Sequence, residues 1–150
     1  MPETKKSPLM EAIGQAFLTW KRYCQREILP YGITLKQFEV LRQLRKRESL
    51  YPAEIADMLF CDRPTASVVI KNMEKHGWVN RDMDSRDSRR IMVTMKPAGH
   101  AKLKEIKEKQ AISQGELFDP LDCFDSREKA TLSKLLAKLN HHLKQIKEKM

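Results

Sequence analysis

Glycine and proline are scarce. The 150 residues hold 5 Gly and 7 Pro, too few for the many tight turns of a β-sandwich or barrel, so the balance tilts towards long helices. Cysteine is scarce too, and odd in number: Cys24, Cys61 and Cys123 stand far apart, with no Cys-x-x-Cys pair. That spacing argues against a disulfide scaffold and against a structural zinc site. No apolar run approaches the ~18 residues of a membrane span, and none follows Met1–Pro8 as it would in a secretory leader. A soluble protein of a reducing cytoplasm is expected. Nucleophile elbows, Gly-rich phosphate loops and paired carboxylates are missing, so no enzyme and no cofactor is expected. His76, His100, His141 and His142 have no ligand-like spacing with cysteine or carboxylate, and no metal site is expected.

What the chain has is positive charge. Lys and Arg number 29 against 20 Asp and Glu, a net charge of +9. The surplus is spread: +2 over 1–33, +1 over 34–59, +3 over 60–96 and +3 over 97–150. A basic balance favours a polyanionic partner, nucleic acid first and an anionic membrane surface second. Hydrophobic residues make up 41% and charged residues 33%, enough for a core in one domain with appended helices.

A short arm, 1–8, precedes an apolar helical period at Leu9, Ile13, Phe17, Trp20 and Cys24. Pro30 and Gly32 stop that helix. Thr34 and Gln37 form a capping box for a helix whose stripe is Phe38, Leu41 and Leu44 and whose end is the cationic Arg45-Lys46-Arg47. Pro52 suits the first turn of a short helix to Leu59, with Ile55, Ala56 and Leu59 inward. Asp62 is a good N-cap for a helix to about His76, with Ala66, Val69, Ile70 and Met73 inward and Gly77 as its stop. A two-stranded hairpin follows: Trp78 to Arg81, a charged loop from Asp82 to Arg89, then Ile91, Val93 and Met95 in alternation. Pro97 starts a long helix with Leu103 and Ile106 as apolar contacts, fading around Gly115 to Pro120. Asp125 and Glu128 box the start of a last helix carrying Leu132, Leu135, Leu136, Leu139, Leu143, Ile146 and Met150 at coiled-coil-like spacing.

Helix, helix, turn, helix and a basic hairpin make a mainly α fold, a winged helix-turn-helix with a two-stranded β-wing. A helix fits the major groove and its first turn reaches base edges; basic wing residues reach the minor groove and backbone. On the helix after Asp62 the outward positions are Arg63, Pro64, Thr65, Ser67, Val68, Lys71 and Lys75. Arg63 suits a bidentate contact to guanine, Thr65 and Ser67 suit bases or phosphates, Val68 suits a thymine methyl, and Lys71 suits phosphate. An ordinary amphipathic surface helix is the competing explanation.

Residues 33–103 resemble the MarR family of transcription regulators. The most specific part is Asp84-Ser85-Arg86-Asp87-Ser88-Arg89, similar to the family's wing signature Asp-x-Arg-Asp-x-Arg; Glu74-Lys75-His76-Gly77-Trp78-Val79 also matches. The resemblance implies double-stranded DNA as partner, a pseudo-palindromic operator and a homodimer. It implies 1–33 as arm and dimerisation helix, 34–96 as the DNA-binding lobe and 97–150 as C-terminal dimerisation helices. A repressor is expected. Arg86 resembles the residue that enters the minor groove, and Asp84 and Arg89 the ion pair that braces the wing, with Arg89 also near phosphate. Arg90 is basic where relatives often have an apolar or small residue, and an extra backbone contact is expected of it. Three positions depart from the pattern. Phe60 stands in the turn where glycine is common, Val68 where a basic residue is frequent, and Lys96 where a Thr cap is usual. A positive φ at Phe60 would be strained.

A small-molecule effector is also implied, in a crevice lined by Phe17, Trp20, Tyr23, Phe38 and Leu41, although any core would bury the same residues. Two alternatives stay open: a winged-helix module that binds protein, and a redox sensor using Cys24. Arg22 and Arg26 lie near Cys24 in sequence, as a reactive thiolate requires, yet Cys24 also continues the apolar stripe.

Overall fold

The computed structural model describes residues 7–113 and 120–149. The chain divides into two compact units, Met1–Gly115 and Glu116–Met150.

The first unit opens with α1, Pro8–Ile28. Of the expected arm, 1–6 lie outside the described residues, and Pro8 already opens the helix. A 3-10 turn over Leu29–Tyr31 and a left-handed Gly32 end it. Helix α2, Leu35–Lys46, begins at the capping box: Gln37 N–H donates to Thr34 Oγ1 at 3.2 Å, and Thr34 N–H to Gln37 Oε1 at 3.0 Å. Helix α3, Pro52–Met58, and helix α4, Arg63–Lys75, form the helix-turn-helix. Strands β1, Val79–Met83, and β2, Ile91–Met95, pair antiparallel, with Val79 opposite Met95 and Met83 opposite Ile91. Helix α5, Pro97–Ser113, follows.

Leu41, Ile55, Ile70, Met73, Val79, Val93 and Ile106 are fully buried, each contributing about 1.5–3 kcal/mol if wholly removed from water. They come from α2, α3, α4, both strands and α5, so one core holds the recognition helix and the root of the wing together. Val69, expected inward with Ala66, Ile70 and Met73, is only half-buried. The middle of the wing has one more partner than the hairpin pattern implies. Leu50, just before α3, bridges to Val93, giving and receiving a backbone hydrogen bond at 3.0 and 2.8 Å. A single bridging residue carries no alternation, so no periodic signal marks it.

Helix α1, expected as part of an arm and dimerisation segment, buries little of its apolar stripe. Ile28 is its only buried residue; Leu9, Met10, Phe17, Leu18 and Trp20 are exposed. The apolar stripe is real, but among the described residues of this unit Leu9, Phe17 and Trp20 along it stay exposed.

In the second unit, α6 spans Ser126–Lys149. Its capping box forms as the sequence suggests: Glu128 N–H donates to Asp125 Oδ1 at 2.8 Å and Asp125 N–H to Glu128 Oε1 at 3.1 Å. None of its described residues is buried, and Leu135, Leu136, Leu143 and Ile146 are exposed. Met150 and the 114–119 part of the expected fade before Pro120 lie outside the described residues.

Candidate nucleic-acid interface

Helix α4 starts where the sequence places it. Asp62 Oδ1 accepts Thr65 N–H at 2.7 Å, satisfying one of the orphan donors of the first turn. Hydrogen bonds from the Thr65 side chain and then its N–H hold the Asp62 carboxyl below its usual value. Thr65 is therefore committed to the cap and half-buried, which is a poorer position for base contact than expected. Arg63, Pro64, Ser67, Val68 and Lys71 are exposed, on the side away from buried Ala66, Ile70 and Met73. Val68 shows 57% of its surface, a large exposure for a residue with only methyl groups to offer. Gly77, at φ 74°, ends the helix left-handed, and Trp78 N–H returns to Met73 O at 3.1 Å.

The end of α4 is tied to the wing. Arg81 of β1 donates from two nitrogens to the two carboxylate oxygens of Glu74, each at 3.0 Å. That fork keeps Glu74 ionised, with its carboxyl held below the usual range, and fixes the angle at which β1 leaves the helix. Neither Glu74 nor Arg81 was singled out in this role by its sequence pattern.

The wing tip is organised around Asp84, 7% exposed. Its Oδ1 accepts Arg86 N–H at 2.9 Å and its Oδ2 accepts the Tyr51 hydroxyl at 2.6 Å. Asp84 N–H donates to Arg90 O at 2.9 Å, closing the loop at its base. The Tyr51 hydroxyl bond, then the Arg86 N–H, lowers the Asp84 pKa; the bond to Asp84 raises that of Tyr51. The expected Asp84–Arg89 brace is thus replaced. Arg89 is almost wholly exposed and its Nε faces Asp87 Oδ1 at 3.7 Å, while Asp84 turns inward to the hydroxyl of Tyr51. A hydroxyl satisfies a largely buried carboxylate without burying a second charge. Arg90, expected as a free backbone contact, stacks its guanidinium 3.8 Å over the Tyr51 ring. Arg86, Arg89 and Arg90 are all exposed. Among the described residues no carboxylate lies within ion-pair distance of Arg63, Lys71 or Arg86.

A cavity of about 150 Å³ opens between α1, α2 and the turn after α3, lined by Phe17, Trp20, Lys21, Cys24, Glu39 and Phe60 among others. Of the five residues expected to line an effector crevice, only Phe17 and Trp20 do so. Phe38 and Leu41 are buried in the lobe's core and Tyr23 is half-buried away from the cavity lining. Phe60, which sequence reasoning marked only for its backbone, forms a wall. Its φ is 54°, a left-handed conformation costing a non-glycine residue about 1–2 kcal/mol. Its ring meets Phe17 edge-on with centroids 5.9 Å apart, and Lys21 Nζ lies 5.3 and 5.8 Å from the two ring centres. Cys24 also lines the cavity. Burial, then the nearby Glu39 carboxylate, raises its thiol pKa, opposite to what a reactive thiolate needs; Arg42 and Lys21 oppose this more weakly. Among the described residues no group of His, Cys, Asp and Glu is placed to hold a metal ion, and no helix is long and apolar enough to cross a membrane.

A helix with an exposed basic start, seated on a core and forked to a basic hairpin, defines a winged helix-turn-helix with a basic face. A sequence model of the MarR family matches residues 33–91, and the chain belongs to that family. It is 31% identical over 120 residues to the uncharacterized HTH-type transcriptional regulator YsmB of Bacillus subtilis, covering 79% of this chain and 80% of that one. It is 25% identical over 147 residues to the regulator PecS of Dickeya dadantii, covering 95% of this chain and 87% of PecS. Among solved structures, a MarR variant from E. coli complexed with operator DNA is 25% identical, with a TM-score of 0.72, covering 88% of this chain and 93% of that chain. The first two are named as HTH-type transcriptional regulators.

Proposed function

We propose that the chain acts as a homodimeric repressor that binds a pseudo-palindromic operator in the cytoplasm. Each protomer sets α4 in a major groove and its wing in the flanking minor groove. The observation that carries this is the exposed set Arg63, Lys71 and Arg86, without carboxylate ion-pair partners among the described residues, on two elements locked together by the Glu74–Arg81 fork. Cations left without carboxylate partners are available to phosphates and base edges. Arg63 reads guanine, Ser67 and Val68 touch bases, Lys71 holds phosphate, Arg86 enters the minor groove, and Arg89 and Arg90 flank it.

The dimer is supported by the exposed apolar faces of α1 and α6, which a monomer would leave in water. Release by a small effector is supported by the aromatic cavity beside α1. Its wall Phe60 lies two residues before the cap of α4, so an occupant would bear on the start of the recognition helix. To act, an effector has to bind the two dimer conformations unequally.

The test is selection of bound fragments from random DNA at physiological salt, with molecular mass measured in the same buffer. A dimer enriching a two-fold symmetric sequence is expected, and Arg86→Ala should weaken that binding by about tenfold, or ~1.4 kcal/mol. A monomer, or no enrichment, overturns the proposal.

A further inference from the structure

Tyr51 lies outside both DNA-facing elements, immediately before α3, yet two residues of the wing and one of α3 converge on it. Its hydroxyl donates to Asp84 at 2.6 Å, its ring carries the Arg90 guanidinium at 3.8 Å, and its N–H donates to Glu54 Oε2 at 3.0 Å. Glu54 is itself held by Arg47 at 3.1 Å. Asp84 in turn holds Arg86 N–H, and Asp87 holds the backbone N–H groups of Arg89, through Oδ1, and Arg90, through its carbonyl. Among the described residues, every hydrogen bond of the wing tip from 84 to 90 is internal to it except the one from Tyr51.

We propose that Tyr51 is a positioning residue for DNA binding, a latch that joins the wing tip to the start of α3 and so sets where Arg86 and Arg90 stand. This role presupposes that the wing meets the minor groove, as proposed above. Two strands joined by a charged loop form a two-stranded ribbon, which by itself twists and bends freely. The Glu74–Arg81 fork fixes its root, and the Leu50–Val93 bridge fixes its middle. Neither reaches the tip, which carries the exposed arginines. The Tyr51 hydroxyl does, at a point one bond removed from the Arg86 backbone. Its ring also fixes the plane of Arg90, so that this guanidinium meets the DNA backbone already ordered and loses less freedom on binding. Tyrosine suits the place because its ring supports a cation while its hydroxyl supplies the single donor that Asp84 lacks.

The test is a double-mutant cycle on the selected duplex, with all proteins assayed well below their melting temperatures and amide exchange followed at Arg86. Tyr51→Phe keeps the ring under Arg90 and removes only the hydroxyl. It should weaken binding by about tenfold, as expected for a lost bond to a charged group, and should speed exchange of the Arg86 amide. In an Arg86→Ala background the same change should cost little more, because the hydroxyl then has no Arg86 side chain to place and the ring kept by phenylalanine still carries Arg90. Unchanged affinity in Tyr51→Phe overturns the proposal, as does an equal loss in both backgrounds, which would mark a general structural defect. If Arg86→Ala alone leaves affinity unchanged, the wing reading itself falls and takes the latch with it. A loss with Arg86→Ala but none with Tyr51→Phe removes only the latch.

Discussion

Gly99 sits in the first turn of α5, and replacing it with alanine tests how the wing is seated. In an exposed helix interior the exchange would gain up to about 1 kcal/mol, because alanine orders the backbone at lower entropic cost. Here an added Cβ would stand 2.5 Å from Trp78 O, 2.8 Å from Met95 Cγ and 3.2 Å from Leu41 Cδ2. The methionine can swing aside; the carbonyl is backbone. Trp78 O also accepts Lys96 N–H at 2.9 Å, the bond that ties the start of α5 to the start of the wing. Overpacking of this kind costs about 1–3 kcal/mol, and stretching the Lys96 bond adds about 1 kcal/mol. Set against the propensity gain, Gly99→Ala should destabilise by about 2 kcal/mol. For a chain of this length that lowers Tm by about 4–8 °C. The measurement is calorimetry at one fixed protein concentration, since a dimer's Tm depends on it. A variant that melts at or above the parent would refute the reasoning, because it would mean that α5 does not press on the wing root.

The remaining predictions concern charge. Arg63→Ala should relax base preference at one position in each half-site, at about 1–3 kcal/mol for the preferred base, whereas Lys71→Ala should weaken all sequences alike and reduce the salt slope by about 1; binding to a panel of single-base variants across a salt series separates them. Asp84, Glu74, Asp62 and Glu54 all have carboxyls held below their usual values by hydrogen bonds, from Tyr51, Arg81, Thr65 and the Tyr51 N–H respectively. As pH falls through about 4 the unfolded chain takes up protons first, so stability is full above that range and drains away as the folded carboxyls titrate below it. Urea midpoints should therefore fall with acid, and Glu74→Gln should flatten the fall; a midpoint that rises on acidification would contradict the sign.

Much of this molecule is local, and what is local is legible. Thr34–Gln37, Asp62–Thr65 and Asp125–Glu128 each close within three residues, so the helix starts can be read directly from residue type and spacing. The inward residues of α2 and α3, and most of those of α4, follow from a 3.6-residue period, and the wing from alternation with an ordered charged loop. The fold class and the basic faces of α4 and the wing follow from these alone.

Other features depended on which distant segments the chain brings together. Tyr51 and Asp84 are 33 residues apart in sequence, and no spacing rule links them; the linear signature suggested Arg89 as the brace, but burial of Asp84 selected an uncharged donor. The cavity is shared by α1, α2 and the α3–α4 turn, so its lining could not be listed from apolar residues that serve equally as core. Phe60 is the clearest case. Its unfavourable backbone was visible in the sequence as a departure from glycine, but its place against Phe17 and Lys21 required the approach of α1. Sequence determines structure here wherever partners lie within one helical turn or one strand pair; tertiary folding decides the rest, because closing long loops brings together groups whose identities carry no local record of one another.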